Sequence, residues 1–413
     1  MKKFIASAGI IAVGAAGLHA ENVAGLTPQQ TTKPWSVSAA LRGFYDDNYA
    51  TQPNAFKQGS TGVELSPTLG WNMPGETTYI GLSYTYGIKY YFDRVGEKND
   101  QSHDVTAKVD HRFSNRYSIS FTDSFIYARE PELIDGSRAT AIRTDANAER
   151  NRAGLQLEGA LTETLGFEAA YQNLWYNYLD SGAGSRSALL NRFENLVRLD
   201  GRWQFQEHAI GVVGYNFGNV SYTSSESIFA GPVFVDSSER DNTSHSFYLG
   251  GDYNLSSRFQ LSGRAGVRYT DYQSGSDSDG LSPYFDFSGS YNYLPGSSLR
   301  AGFRHDRSAT DQVGTATDVT QDQAITTIYS EWTHRITPSI SGSLLASFQN
   351  GVFNGGTYDG ASQNFYLVGL AFNYRINQYW SVETGYNWDR LVSDVPGQTF
   401  TRNRLYLGVR AAY

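Results

Sequence analysis

The chain has no cysteine and only two methionines among 413 residues. Without thiols there is no disulfide framework, no thiolate nucleophile and no cysteine-held metal. Past residue 20 there is also no run of about 18 uncharged apolar residues, so no helix is expected to span a membrane. Hydrophobic residues make up 40% and the mean hydropathy is −0.44, little for one compact soluble core of this length, and the linkers that would divide such a core are missing. Excess positive charge is lacking too: 33 Lys and Arg stand against 41 Asp and Glu, which argues against a nucleic-acid partner. Catalytic patterns are equally scarce. There is no HExxH, CxxC or glycine-rich phosphate loop, and the seven histidines (His19, His103, His111, His208, His245, His305 and His334) are scattered. His103 and His111 share a strand face but sit too far apart along it to hold one metal ion. Ser274 to Asp279 reads as a solvated loop before a calcium site. Neither an enzymatic reaction nor a cofactor is expected.

What the chain does have is aromatic and glycine content: 29 Tyr, 23 Phe and 42 Gly. A leader is also expected. Lys2 and Lys3 precede an apolar stretch from Phe4 to Leu18 that closes on His19-Ala20, the layout of a cleaved secretory signal over residues 1–20. Residues 21–34, polar and proline-punctuated, read as a short periplasmic lead-in.

From Trp35 onward the sequence alternates with period two. Ile80, Leu82, Tyr84, Tyr86 and Ile88 stand against Gly81, Ser83, Thr85, Gly87 and Lys89. Phe193, Val197, Leu199 and Trp203 stand against Arg192, Glu194, Arg198, Asp200 and Arg202. Strands show alternate side chains to opposite faces and helices do not. About 18 such segments (16–18) fill residues 35–413. Every second connection is tight and carries turn-forming residues, such as Ser114-Asn115, Ser256-Ser257, Pro295-Gly296, Thr337-Pro338 and Asn377-Gln378. The connections between them are longer and polar. An overall polar, exported chain with strands of this kind, short turns on one side and long loops on the other fits an all-β fold: a transmembrane antiparallel up-and-down β-barrel with periplasmic turns and extracellular loops.

The two faces of that barrel are separable by parity. Beside the short turns, Trp71, Tyr117, Phe205, Phe259, Tyr293, Trp380 and Tyr413 are expected to form an aromatic girdle at the membrane interface. The inward parity collects Arg42, Lys108, Arg192, Arg198, Arg202, Arg264, Arg268, Arg300, Arg304, Arg404 and Arg410, interleaved with acids, as a wet lumen requires. Near 18 strands the interior is too wide for side chains to fill, so these residues are read as pore-lining. Arg264, Arg268, Arg300 and Arg304 would form a basic patch on one wall, either a ladder for anions and sugar hydroxyls or half of a set of neutralising pairs. The third long connection resembles the infolded constriction loop of general porins, a resemblance that would make Glu130, Glu132 and Asp135 its acidic side; the alternative is a plain extracellular loop. The fifth, with Ile228 to Val235, is apolar enough to tuck into the mouth or against a neighbour, and a short extra hairpin is the alternative.

The last strand, Leu405-Tyr-Leu-Gly-Val-Arg-Ala-Ala-Tyr413, has one apolar face and ends on an aromatic. It resembles the sorting signal of bacterial outer-membrane barrels, which implies recognition by the barrel-assembly machinery. The opening Trp35-Ser-Val-Ser-Ala-Ala-Leu-Arg-Gly-Phe-Tyr-Asp-Asp-Asn48, the second strand Val63-Glu-Leu-Ser-Pro-Thr-Leu-Gly70 and the Tyr-rich hairpins resemble the outer-membrane β-barrel porins of the beta-barrel porin 2 kind across residues 35–413. The resemblance implies the outer membrane of a diderm (Gram-negative) bacterium, reached through the periplasm, with outer-membrane lipid around the wall. The expected function is a water-filled channel for small hydrophilic solutes or ions. The alternatives are a conduit for exopolysaccharide export and an occluded structural or adhesive barrel. A homo-oligomer is left open.

Overall fold

The computed structural model describes residues 34–129, 147–273 and 280–413. Eighteen strands form one sheet: β1 (Trp35–Asp46), β2 (Ser60–Pro74), β3 (Thr78–Tyr91), β4 (Asn99–Arg112), β5 (Tyr117–Ala128), β6 (Ala148–Ala160), β7 (Leu165–Tyr178), β8 (Arg192–Gln206), β9 (Ala209–Tyr222), β10 (Asn242–Asn254), β11 (Phe259–Tyr272), β12 (Gly280–Leu294), β13 (Ser297–Ser308), β14 (Asp322–Arg335), β15 (Ile340–Asn354), β16 (Ser362–Arg375), β17 (Trp380–Ser393) and β18 (Phe400–Ala412). Each is antiparallel to its neighbour in chain order, and β1 pairs with β18 from Ser38↔Ala412 to Asp46↔Arg404. The sheet is therefore a closed barrel with no free edge, the only sheet form that leaves no backbone group unbonded in lipid. The strands expected from the alternation are all here, displaced by a few residues at their ends. The signal and nearly all of the lead-in fall outside the described residues.

The turns explain the regular spacing. In five of the tight connections a Ser, Thr or Asn side chain accepts a backbone N–H two or three residues on. Ser114 takes Arg116 N–H at 3.1 Å, Thr162 takes Leu165 at 2.9 Å, and Ser256 takes Phe259 at 3.1 Å. Thr337 takes Ile340 at 3.0 Å and Asn377 takes Tyr379 at 2.8 Å. These side chains close the turn locally, so each hairpin sets its own register. Pro295-Gly296 does it by backbone alone: Gly296 has φ +75°, which a β-carbon would disfavour, after a proline already fixed for the preceding position.

The faces sort as parity dictates. On β18, Leu405, Leu407 and Val409 are exposed on the outer wall while Arg402 and Gly408 are buried within. Closure is reinforced from the inside. Arg42 of β1 lies level with Glu64 on β2 and with Gly408 on β18, and Gly408 lies level with Glu383 on β17. The Arg42 guanidinium crosses over β18 to bond Glu383, while it also contacts Glu64 at 3.3 Å. Two residues from the loop end, the Arg402 Nε donates to both Asp46 oxygens at 3.0 and 2.9 Å, with neither residue exposed by more than 2%. The first loop continues the seam, as Asn403 donates to Asp47 from its backbone and side chain at 2.7 and 2.8 Å.

A β-carbon at Gly408 would come within 2.6 Å of Arg42 Cγ and of the Leu41 carbonyl. Gly408→Val should therefore break the Arg42–Glu383 link despite valine's preference for strands. Loss of one buried pair costs about 3–5 kcal/mol, so the heat-modifiable folded band should vanish at a clearly lower temperature. Gly43→Val, whose β-carbon meets nothing within 4 Å, should melt like the parent.

Candidate functional site

The functional face of a barrel is its lumen, because the outer wall is committed to lipid. All eleven basic residues expected there sit at inward positions of their strands, but they do not form a bare basic patch. Ten of the eleven have a carboxylate within 4 Å. On the wall from β7 to β14, Arg202 bridges Glu168 at 3.2 Å and Asp252 at 2.9 Å. Arg264 reaches the same Asp252 at 3.0 Å. Arg268 and Arg304 share Asp306 at 2.6 and 3.0 Å. Arg300 stands 3.8 Å from Glu331 and lies over the Tyr329 ring. Elsewhere Lys108 pairs with Asp110 at 2.9 Å, Arg192 with Glu194 at 2.7 Å, Arg404 with Asp389 at 2.9 Å and Arg410 with Glu383 at 3.5 Å. Of the two readings open from the sequence, neutralising pairs describe this wall.

The acids Glu168, Asp252, Asp306 and Glu331 complete the set and were not singled out from the sequence. Their inward parity was readable: Asp252 shares a face with Tyr248 and Gly250, and Asp306 with Arg304. What the sequence could not supply was the side-chain choice: register sets Asp286 level with Arg264 and Arg304, yet Arg268 and Arg304 both turn to Asp306.

Arg198 is the exception. It makes no ion pair or hydrogen bond among the described residues, yet it sits midway along β8 with Asp200 and Glu168 near it and the Tyr248 and Tyr284 hydroxyls beside it. Its closest acid is otherwise engaged, because the Tyr248 hydroxyl donates to Asp200. Tyr248 can do so because it lies across Gly214, which is level with both Asp200 and Tyr248. The result is a guanidinium that two nearby carboxylates attract but none bonds. The paired heads border the lumen without being sealed from it: Asp110 keeps 40% of its side chain exposed, Glu331 27% and Arg304 21%.

The expected girdle residues lie at the strand ends beside the short turns. Trp71 packs on Trp35 with ring centroids 6.2 Å apart, Phe205 on Trp203 at 5.8 Å, and Phe259 edge-on to Tyr291 at 5.9 Å. The Tyr293 hydroxyl accepts Trp332 Nε1–H at 2.8 Å. Tyr413 stacks on Tyr379, and Tyr117 and Trp380 stand exposed. Five histidines point outward, four bonded to a Tyr or Thr of the adjacent strand (His103 to Tyr84, His111 to Thr78, His245 to Tyr215 and His305 to Thr326) and the fifth, His334, reaching Tyr293 two strands away. Among the described residues no group of three His, Asp or Glu is placed to hold a metal. Glu130, Glu132 and Asp135, and the Ser274–Asp279 cluster, lie outside the described residues.

At the other rim, three long loops fold together. Leu189 in the short helix α1 (Arg186–Leu190), Ile228 and Val235 form a buried apolar cluster with Val313 and Val319 packed against it. The segment Ile228–Val235 thus anchors to neighbouring loops by its two ends, with residues 230–234 left exposed. Arg186 bonds Asp311 at 2.7 Å, and Glu226 accepts the Gly182 N–H at 2.7 Å. Arg240 ties all three loops: fully buried, it donates to the Leu189 and Thr310 carbonyls and lies over the Tyr222 ring at 4.3 Å. Burial pushes its guanidinium below its ordinary value, since two carbonyls and a ring replace water without supplying a counter-charge.

A closed barrel with an apolar outer wall and a charged interior is an outer-membrane β-barrel protein. The family model described as "Putative beta-barrel porin 2" matches residues 308–413, about a quarter of the chain. Among solved structures, the outer membrane protein opdK from Pseudomonas aeruginosa is similar at 12% identity and a TM-score of 0.46, covering 92% of this chain and 99% of that one. A BenF-like porin from Pseudomonas fluorescens Pf-5 is similar at 11% identity, TM-score 0.46, with 92% and 99% covered. OccAB4 from Acinetobacter baumannii is similar at 13%, TM-score 0.44, with 94% and 100% covered. No curated protein matches the chain.

Because Arg240 bonds two other loops, Arg240→Ala should free all three while leaving the barrel folded. Limited proteolysis of detergent-folded protein should then cut within 179–191, 223–241 or 309–321 at least several-fold faster than in the parent, with heat modifiability retained. Unchanged cleavage would mean the apolar cluster alone holds the loops.

Proposed function

We propose that the barrel is a passive channel for small hydrophilic solutes, biased toward anions at Arg198. The observation that carries this reading is the inner wall itself: ion-paired side chains that stay partly exposed, in a barrel of 18 strands, a size that leaves an aqueous interior. Balanced pairs solvate such a lumen without attracting either sign strongly, so Arg198, which forms no ion pair among the described residues, sets a local preference. In this reading residues 1–20 direct export and are removed, the wall sits in outer-membrane lipid, and the lumen carries solutes without a reaction.

A polysaccharide conduit is less well supported. It would need aromatic faces displayed along the lumen for sugars to slide over. The inward rings Tyr248, Tyr284 and Tyr329 are instead 3–4% exposed, with Tyr248 packed on Tyr284 at 5.5 Å and Tyr329 under Arg300.

The test is conductance. Protein refolded in detergent and inserted into a planar bilayer should give steady single-channel openings, with a zero-current potential in a salt gradient displaced to the anion side. Arg198→Gln should keep the openings and move that potential toward cations. A folded, heat-modifiable barrel that never conducts would sink the channel and favour the occluded barrel. Conduction with selectivity unaltered by Arg198→Gln would retain the channel and remove Arg198 as its selectivity residue.

A further inference from the structure

At mid-height the outer wall should offer lipid only apolar groups, because hydrocarbon supplies no hydrogen-bond partners. Strands β1 and β3 obey this, with Val37, Ala39, Leu41 and Gly43 on one and Ile80, Leu82, Tyr84, Tyr86 and Ile88 on the other. Strands β5 to β8 do not. Asp123 faces outward midway along β5, between Phe121 and Phe125 and between the rings of Tyr117 and Tyr127 at the two ends. Level with it across the wall come Ala153 on β6, Asn173 on β7 and Asn195 on β8. Asn151, one outward position above Ala153, donates to Asp123 at 3.0 Å. Asn173 donates to Asn195 at 2.9 Å, and the Tyr171 hydroxyl donates to the same oxygen at 2.8 Å. Asp123 forms no ion pair among the described residues.

We propose that this outward polar stripe is where a second copy of the chain docks in the membrane, about a two-fold axis. Lipid cannot satisfy the stripe, whereas the stripe can satisfy itself. A carboxamide both donates and accepts, so a row of asparagines is complementary to its own image in a two-fold interface. Asn151 and Asn173 each donate one bond here and retain a second N–H, Asn195 only accepts, and the carboxylate of one copy can take the remaining donors from the other. Ala153 at the centre leaves no bulk between the two walls, the condition under which backbones in a membrane approach closely. The stripe crosses four strands, roughly 14 Å at the usual strand spacing, and is flanked by Phe121, Leu155 and Trp175 to supply apolar contact. A basic partner would suit Asp123 but leave the asparagines unmatched.

The absence of cysteine makes the test clean, since one introduced thiol is the only one. Ala153→Cys should cross-link under mild oxidation in native outer membranes to a reducible two-copy band, while Val409→Cys, outward on β18, should not. Folded Ala153→Cys that stays monomeric overturns the proposal, as does a cross-link to a product of another mass. Should the cysteine variant not fold, native mass spectrometry of the parent from mild detergent decides. A two-copy mass that becomes one-copy in Asn195→Leu supports the interface. A one-copy or three-copy mass for the parent overturns it.

Discussion

A backbone amide in hydrocarbon has no water to bond, and leaving it unpaired costs several kcal/mol. Closing the ladder between β1 and β18 is therefore the condition on which the other seventeen pairings depend. The closing pair is also the one that no hairpin turn can set, since its strands come from opposite ends of the chain. Register there must come from side chains. A slip of one residue would turn Leu405, Leu407 and Val409 inward and send Arg402, Arg404 and Arg410 into lipid, at up to about 2–4 kcal/mol for each arginine depending on depth. The Arg42–Glu383 and Arg402–Asp46 bonds reward the correct register from inside. Pattern and pairing specify the same seam.

The abundance of glycine and tyrosine has a matching cause. On the inner wall glycine supplies clearance rather than chain flexibility. Arg42 crosses β18 over Gly408 to Glu383, and Tyr248 crosses β9 over Gly214 to Asp200. Tyr406 lies over Gly385, and Tyr329 over Gly302. Arg42 and Tyr248 thereby span an intervening strand and couple residues two strands apart. A luminal wall built this way is stiffened by cross-braces that a ladder of backbone bonds alone would lack.

How much of this was legible in the sequence follows from which forces are local. Period-two alternation and turns closed by Ser114, Thr162, Ser256, Thr337 and Asn377 act within a dozen residues, so strand count, turn positions and the inward set of arginines could be read directly. Pairing across strands is set by register and barrel shear, which no single segment encodes. Hence Asp252 and Asp306 escaped notice although their parity was plain, and an expected basic patch proved to be compensated. Arg240 was unreadable for a further reason: its partners are carbonyls of Leu189 and Thr310, 51 and 70 residues away, brought together only when three loops pack.

Arg198 and Asp123 share a logic, although one faces the lumen and the other the lipid. Both are ionisable groups that form no ion pair among the described residues, and both are set midway along their strands. A chain that gives a carboxylate to ten of the eleven basic residues expected in the lumen, three times by letting two share one, had acids and register enough to pair the last. A wall that keeps the outer faces of β1 and β3 apolar could equally have placed an apolar side chain at 123. Leaving such a group unmatched raises the free energy of the isolated barrel. That cost persists only where the missing partner arrives from elsewhere: a solute anion on the inner side, another copy of the wall on the outer.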